Sequence, residues 1–406
     1  MQRFLAVVLT VCSMASSLLA KEWVEFRAIP CASEVKAWDI SYDGSAVALV
    51  TVDQNAWLVV VPKDTRKDLK PKALQRWASS VVMAPEMHGD FTVLGANSGR
   101  YDYGGKKEAE VRLGTRDVVV GKTAKHFIAE YLFPDGKGWL HTWSYSRRLG
   151  AIPWKKGNKV VVAATESHLI TWDQRMLTAY TDSFRNRESK RGTEKAPPRP
   201  PSEWTWFKRG PVLEEAVALD CSHDGKVVLL ALRGGRVLAR LPEGDKTDSD
   251  LLGEYKQKYG NDWPYAKPLM LESLTTSSSP ESEGLKNTAG AVSPKGEWIA
   301  VAKEVESRGQ VFVWHNGGVP VMLGPLEVPA TQLQFIDDGR LVSAAGNELA
   351  VWSLASGTVQ RINLLRPVKN FVVSGDGKTI AVLGHDGKED GIVLFREKDA
   401  PTVTSK

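Results

Sequence analysis

Cysteine is scarce in this chain. Three occur in 406 residues, at positions 12, 31 and 221, and no two form a Cys-x-x-Cys pair. Histidine is hardly commoner: the seven stand at 88, 126, 141, 168, 223, 315 and 385, and none forms His-x-x-x-His or His-Glu-x-x-His. The common zinc patterns are therefore missing. No Gly-x-Ser-x-Gly elbow occurs, and GANSG at 95–99 lacks the lysine and helix of a phosphate loop. GHDGKEDG, from Gly384 to Gly391, contains Asp386, Glu389 and Asp390. It lacks the alternating oxygen ligands of a calcium loop and reads as a polar hairpin turn. With no nucleophile, paired base or ligand set in sight, the expectation is a chain with no catalytic residues, no metal and no cofactor.

One-sided charge is lacking too. Lysine plus arginine number 53 against 48 acidic residues, a net charge of +5. That balance does not imply nucleic acid. Long amphipathic helical patterns are hard to find. Only the N-terminus carries a continuous apolar run, MQRFLAVVLTVCSMASSLLAKEW. Arg3 supplies a positive n-region, Phe4 to Val11 an apolar core, and small residues follow. The stretch reads as a signal peptide over 1–20, cleaved after Ala20 or Ala15. The expected location is periplasmic or extracellular, with lipid anchoring at Cys12 as a lesser alternative. No later segment approaches the ~20 apolar residues of a membrane span. Once Arg3 is removed the net charge is about +4.

What the sequence has in quantity is a repeat. FIDDGRLVSAAGNELAVWSL, from Phe335 to Leu354, is echoed by FVVSGDGKTIAVLGHDGKEDGIVLF, from Phe371 to Phe395. Apolar and polar residues alternate, Asp-Gly turns the chain, a second apolar run follows, and a third ends in a large side chain. This is the period-2 grammar of short antiparallel strands. Related copies turn at Gly44, Gly89, Gly157, Gly225 and Gly296, so the turn glycines, with 339 and 377, recur at intervals of 38 to 71 residues. The short intervals match one four-stranded unit and the long ones a unit plus an insertion.

The set "apolar strand, Ser-x-Asp-Gly, apolar strand, turn, strand ending in Trp" resembles a bacterial exported WD-repeat β-propeller. The resemblance spans most of residues 22–396. A Trp-Asp pair closes one copy, at Trp172-Asp173, while Trp314-His315 and Trp352-Ser353 stand in its place elsewhere. The expected fold is an all-β propeller of about seven four-stranded blades, the choice of seven or eight left open. EWVEFRAI, Glu22 to Ile29, is expected to close the ring as the outer strand of the last blade. The propeller is placed at 21–396, with insertions at about 180–212 and 242–287 and a disordered tail at 397–406. Within the second insertion, GNDWPYAKPLM carries enough apolar content to fold back onto the ring. Cys31 and Cys221, far apart in such a ring, are expected to stay unpaired.

Two stretches stand out as candidate sites. GWLHTWSYSRRLGAIPWKKG, from Gly138 to Gly157, interleaves aromatic and basic residues. On a strand, Trp139, His141, Trp143 and Tyr145 share one face. With Arg147 and Arg148 they form a candidate ligand-binding set, able to stack on sugar rings or hold carboxylates. The competing reading has these tryptophans filling gaps between blades. RNRESKRGTEKAPPRPP, from Arg185 to Pro201, is a basic, proline-rich loop. Arg185, Arg187, Lys190 and Arg191 are its candidate partner-binding residues. The function expected is a non-catalytic binding or scaffold protein of the cell envelope, probing an envelope protein or acidic glycan through propeller loops, as a monomer. The alternative is an exported propeller hydrolase or dehydrogenase with its site in the central channel.

Overall fold

The structure is a computed structural model. It describes residues 22–398 except 32, 63, 65–66, 85–89, 96–97, 103–104, 111–117, 124–125, 145–146, 165–167, 173–176, 182–214, 241–265, 269–271, 275–284 and 388. Among the described residues every regular element is a strand, and the strands form eight four-stranded antiparallel sheets. The ring is a β-propeller, as expected, and its blades number eight.

Strand β1 (Trp23–Pro30) comes first in the chain. Blade I is β2 (Val35–Ile40), β3 (Ala46–Thr51), β4 (Ala56–Val60) and β5 (Pro71–Gln75). Blade II is β6 (Ala78–Met83), β7 (Asp90–Gly95), β8 (Gly99–Asp102) and β9 (Lys107–Glu110). Blade III is β10 (Val118–Lys122), β11 (His126–Leu132), β12 (Lys137–Ser144) and β13 (Arg147–Lys155). Blade IV opens with β14 (Lys159–Val162), β15 (His168–Trp172) and β16 (Leu177–Thr181), and blade V with β17 (Ala216–Cys221), β18 (Val228–Leu232) and β19 (Val237–Arg240). The chain then turns back: β20 (Ala266–Pro268) completes blade IV and β21 (Glu272–Leu274) completes blade V. Ala266–Pro268 lies within GNDWPYAKPLM, so that segment does fold onto the ring. Blade VI is β22 (Lys286–Val292), β23 (Trp298–Val305), β24 (Arg308–His315) and β25 (Val321–Leu326). Blade VII is β26 (Gln332–Asp337), β27 (Arg340–Ala345), β28 (Glu348–Ser353) and β29 (Thr358–Asn363). Blade VIII is β30 (Val368–Val373), β31 (Thr379–His385) and β32 (Asp390–Glu397), with β1 as its outer strand. Trp23 pairs with Glu397 and Pro30 with Gly391. The ring is thus closed by the N-terminal strand, which covers an edge that would otherwise be open.

The innermost strands β2, β6, β10, β14, β17, β22, β26 and β30 each neighbour the next, and β30 neighbours β2. Blades pack face to face, and the gap between any two is wedge-shaped. Each gap has its own buried cluster, eight in all. A large aromatic fills seven of them. Tyr101 and Phe91 lie between I and II, Trp143 between II and III, and Trp154 between III and IV. Trp172, Trp314 and Trp352 fill the next three, Trp23 lies between VII and VIII, and Trp57 borders the closing gap. A chain with fourteen tryptophans spends many of them as wedges.

The Ser-x-Asp-Gly turns show why this motif starts a blade. Ser41, Ser222 and Ser374 donate from Oγ to Asp43, Asp224 and Asp376 at 2.9, 2.7 and 2.6 Å. The same Oγ atoms accept from the Ala46, Val227 and Thr379 amides. The glycines at 44, 225 and 377 adopt φ near +70°, a conformation that costs glycine little. One copy sits a strand out of frame. Gly157 lies between β13 and β14, at a blade boundary, so Trp172 ends a second strand rather than a third.

Strands within a blade alternate in direction, which gives the ring two unlike ends. First-to-second and third-to-fourth turns emerge at one end, the turn face. Second-to-third turns and the blade-to-blade connections emerge at the other, the connection face.

Candidate functional site

Blade III presents the aromatic segment. β11 and β12 pair so that Phe127 opposes Trp143, Ala129 opposes His141, and Tyr131 opposes Trp139. β12 pairs with β13 so that Trp139 opposes Pro153 and Lys137 opposes Lys155. Side chains directly opposite share a face, so one face of the blade carries an aromatic column. Its lower end is buried. Trp143 is fully buried and stacks on Phe127, with ring centroids 5.8 Å apart and planes 5° apart. His141 is buried next, edge-on to Trp143 and stacked at 6.3 Å on Tyr131. The upper end opens at the connection face, where Phe133 meets Tyr131 edge-on at 5.1 Å. Phe133 is 46% exposed and Trp139 41%. The blade's other face is closed by Trp154, whose Nε1 donates to Glu130 at 2.9 Å.

The candidate set is therefore divided. Trp139 is accessible, His141 lies beneath it, and Trp143 is a wedge between blades II and III. Arg147 and Arg148 pair with Ser144 and Trp143 at the turn-face end of the same strands. They stand roughly 15 Å along the strand from Trp139 by the ordinary rise per residue. Tyr145, Arg185, Arg187, Lys190 and Arg191 lie outside the described residues. Tyr131 and Phe133 belong to the accessible corner and were missed in the sequence. Their signal was present: alternate aromatics running into a Pro-Asp-Gly turn directly before Trp139.

The central channel was the other place for chemistry. Its innermost strands leave Val118, Val120, Lys36 and Asn370 exposed. Trp38 Nε1 donates to Asn370 at 2.8 Å. Acidic side chains on these strands bond to the neighbouring blade. Asp39 accepts from the Met83 amide at 2.8 Å and Asp220 from the Val292 amide at 2.8 Å. Gln332 and Gln334 accept from Phe371 and Val373 in the same way. Lys122 of blade III reaches past blade II to both oxygens of Asp39, at 2.6 and 2.7 Å. Burial pushes the Asp220 carboxyl up to about 6, against two backbone amides that pull it down. Asp39-Ile-Ser and Asp220-Cys-Ser are a recurring Asp-x-Ser that sequence reading passed over. Among the described residues no three His, Cys, Asp or Glu side chains gather as a metal site. No helix among them is long and apolar enough to cross a membrane.

No family model matches the chain, and no curated protein matches it. Solved structures do: 1516 chains match. One belongs to the crystal structure of the mitotic checkpoint complex, with 12% identity and a TM-score of 0.48, over 94% of each chain.

Proposed function

We propose that this protein is a non-catalytic binding scaffold that docks a protein partner on the connection face of its ring. One observation carries the reading. The three exposed tryptophan and phenylalanine side chains of the described residues, Trp77, Phe133 and Trp139, all emerge at that end. Val52, Val328 and Leu365 emerge there too, whereas the large apolar side chains exposed towards the turn face, Val60, Val319, Val321, Met322 and Val359, are all aliphatic. Aromatic residues set in a broad surface are what protein interfaces favour. Trp77 is 63% exposed and adopts φ +62°. For a bulky residue that conformation costs about 1–3 kcal/mol. It is held by the Ala78 amide donating to Gln54 at 2.8 Å, and by Gly95, where a Cβ would lie 2.2 Å from the Trp77 carbonyl. Strain maintained to display an indole is consistent with a contact residue.

Export belongs to the same proposal. The N-terminal grammar supports a signal peptide over 1–20, which puts the partner in the cell envelope. N-terminal sequencing of the secreted protein tests this. The basic arm at Arg185, Arg187, Lys190 and Arg191 is assigned the role of speeding encounter with an acidic partner.

Photo-crosslinking tests the docking face. Benzoylphenylalanine is placed at Trp77, Phe133 or Leu365 on the connection face, and at Val60, Val319 or Val359 towards the turn face. Discrete protein adducts are expected from the first set alone. Adducts confined to the second set, or absent from both, would overturn the reading.

A further inference from the structure

Resting on that docking face, we infer that the blade III corner is the subsite for an acidic segment of the protein partner, seated by one apolar side chain. The corner consists of two rows of side chains on one face of the sheet. Tyr131, Trp139 and Pro153 form the first row, opposed across three strands. Phe133, Lys137 and Lys155 form the second: the Phe133 amide donates to the Lys137 carbonyl at 2.7 Å, and Lys137 opposes Lys155. The apolar row is preformed. Tyr131 is held between the Phe133 edge and the His141 ring, so little side-chain entropy remains to be lost on binding.

The cationic row is the telling part. Like charges directly opposite each other on a sheet repel, yet Lys137 and Lys155 are so placed, both exposed, with exposed Lys156 next in sequence. The Gly136 carbonyl accepts from the Lys156 amide at 2.7 Å, which draws the two turns together. Asp135 forms an ion pair with Lys137, but a long one exposed to water at both ends and therefore weak. Its Oδ1 accepts from the Lys137 amide at 3.0 Å, and its Oδ2 stands 3.8 Å from Lys137 Nζ. Glu130, the acid nearest in sequence on β11, projects to the other face and is engaged by Trp154. Two opposed cations beside an exposed aromatic row call for an anionic ligand with an apolar anchor. Clustered Asp or Glu around one large side chain supplies both. The aromatic row provides short-range affinity, and the lysines provide steering that salt weakens.

The test selects peptides from a displayed random library on the full-length chain and measures their binding at low and high salt. The unaltered chain should enrich peptides with several Asp or Glu around one Trp, Phe or Leu. The double variant K137E/K155E should bind them at least about tenfold more weakly at low salt, with the gap narrowing as salt rises. W139A should weaken binding at both salts and leave the melting temperature unchanged. Equal binding by K137E/K155E would overturn the subsite. So would a corner that ignores acidic peptides and binds an oligouronate. Photo-crosslinking separates the two levels. Selected peptides that crosslink at Trp77 or Leu365, and are indifferent to the lysine changes, would sink the subsite alone. Peptides that crosslink only at the turn face would sink the docking face as well.

Discussion

Lys303 lies on the second strand of blade VI, 2% exposed, and donates from Nζ to the Gly235 carbonyl at 3.1 Å. Asn287, opposite it on β22, donates to the Leu232 and Arg236 carbonyls of the same blade V turn. Together they clamp the turn from across the blade interface. Burial pushes the Lys303 ammonium down to about 8 from its usual 10.5. Between those values the unfolded chain holds a proton that the folded chain has released. Stability from this group therefore rises with pH across that window, by up to about 3 kcal/mol. Lys303→Met removes the titration. The stability difference between wild type and Lys303→Met, from urea unfolding at a series of pH values, should drift in favour of wild type from pH 8 towards 10.5; a constant difference would refute this origin. Trp143 and Trp139 make a second contrast. Trp143→Ala should cost about 3–5 kcal/mol, the range for a buried aromatic, whereas Trp139→Ala should cost under about 1 kcal/mol. Comparable losses in the two variants would contradict the split between wedge and exposed corner.

Closure depends on a few bonds around β1. The Asp390 carboxylate accepts from the Val35 amide at 2.6 Å, from Lys369 at 3.3 Å and lies 2.7 Å from His385 Nδ1, while its carbonyl accepts from the Cys31 amide. Burial alone would raise this acid, but the Val35 amide, Lys369 and His385 hold it below the usual carboxylate range. Asp390 thereby ties blade VIII to the first strand of blade I. Asp390→Ala should cost about 2–4 kcal/mol, since it strands a buried amide and takes a partner from Lys369 and from His385; a loss under 1 kcal/mol by thermal unfolding would argue against the latch. This closure was legible because Glu22 to Ile29 alternates and the last repeat had only three strands of its own. Turn glycines at 44, 225, 296, 339 and 377 marked blades correctly. They miscounted where the physics changed. Blade III turns without glycine: the Thr123 hydroxyl accepts from the His126 amide at 3.0 Å and does that work. Gly157 marks a boundary between blades rather than a start. The return of β20 to blade IV has no local signature, because strand pairing across dozens of residues leaves periodicity unchanged. The division of the aromatic segment was hidden for a similar reason. Alternation puts Trp139 and Trp143 on one face, but only the neighbouring blade decides which of them is covered.

At the scale of the ring, the two cysteines report on how it opens. Cys31 packs in the cluster between blades VIII and I, and Cys221 in that between IV and V, on opposite sides of the circle. Both are buried and free, as their separation requires. Burial pushes both thiols up, Cys31 to about 11. Neither is reactive while its interface is closed, so alkylation measures opening. The two interfaces differ in kind. Cys221 ends an innermost strand, between two blades whose first three strands each follow one another in the chain. Cys31 follows the outer strand β1, which is held to blade VIII by pairing with β32 and by the Asp390 bonds. Peeling β1 away uncovers Cys31 without disturbing the channel wall, and no comparably short excursion uncovers Cys221. Under native conditions and in low urea, Cys31 should therefore be alkylated faster than Cys221, as read by peptide mapping over time. Asp390→Ala should widen the gap by accelerating Cys31 alone. Equal rates for the two thiols at every urea concentration would mean that the ring opens only as a whole, and that its closure is no weaker than any other interface.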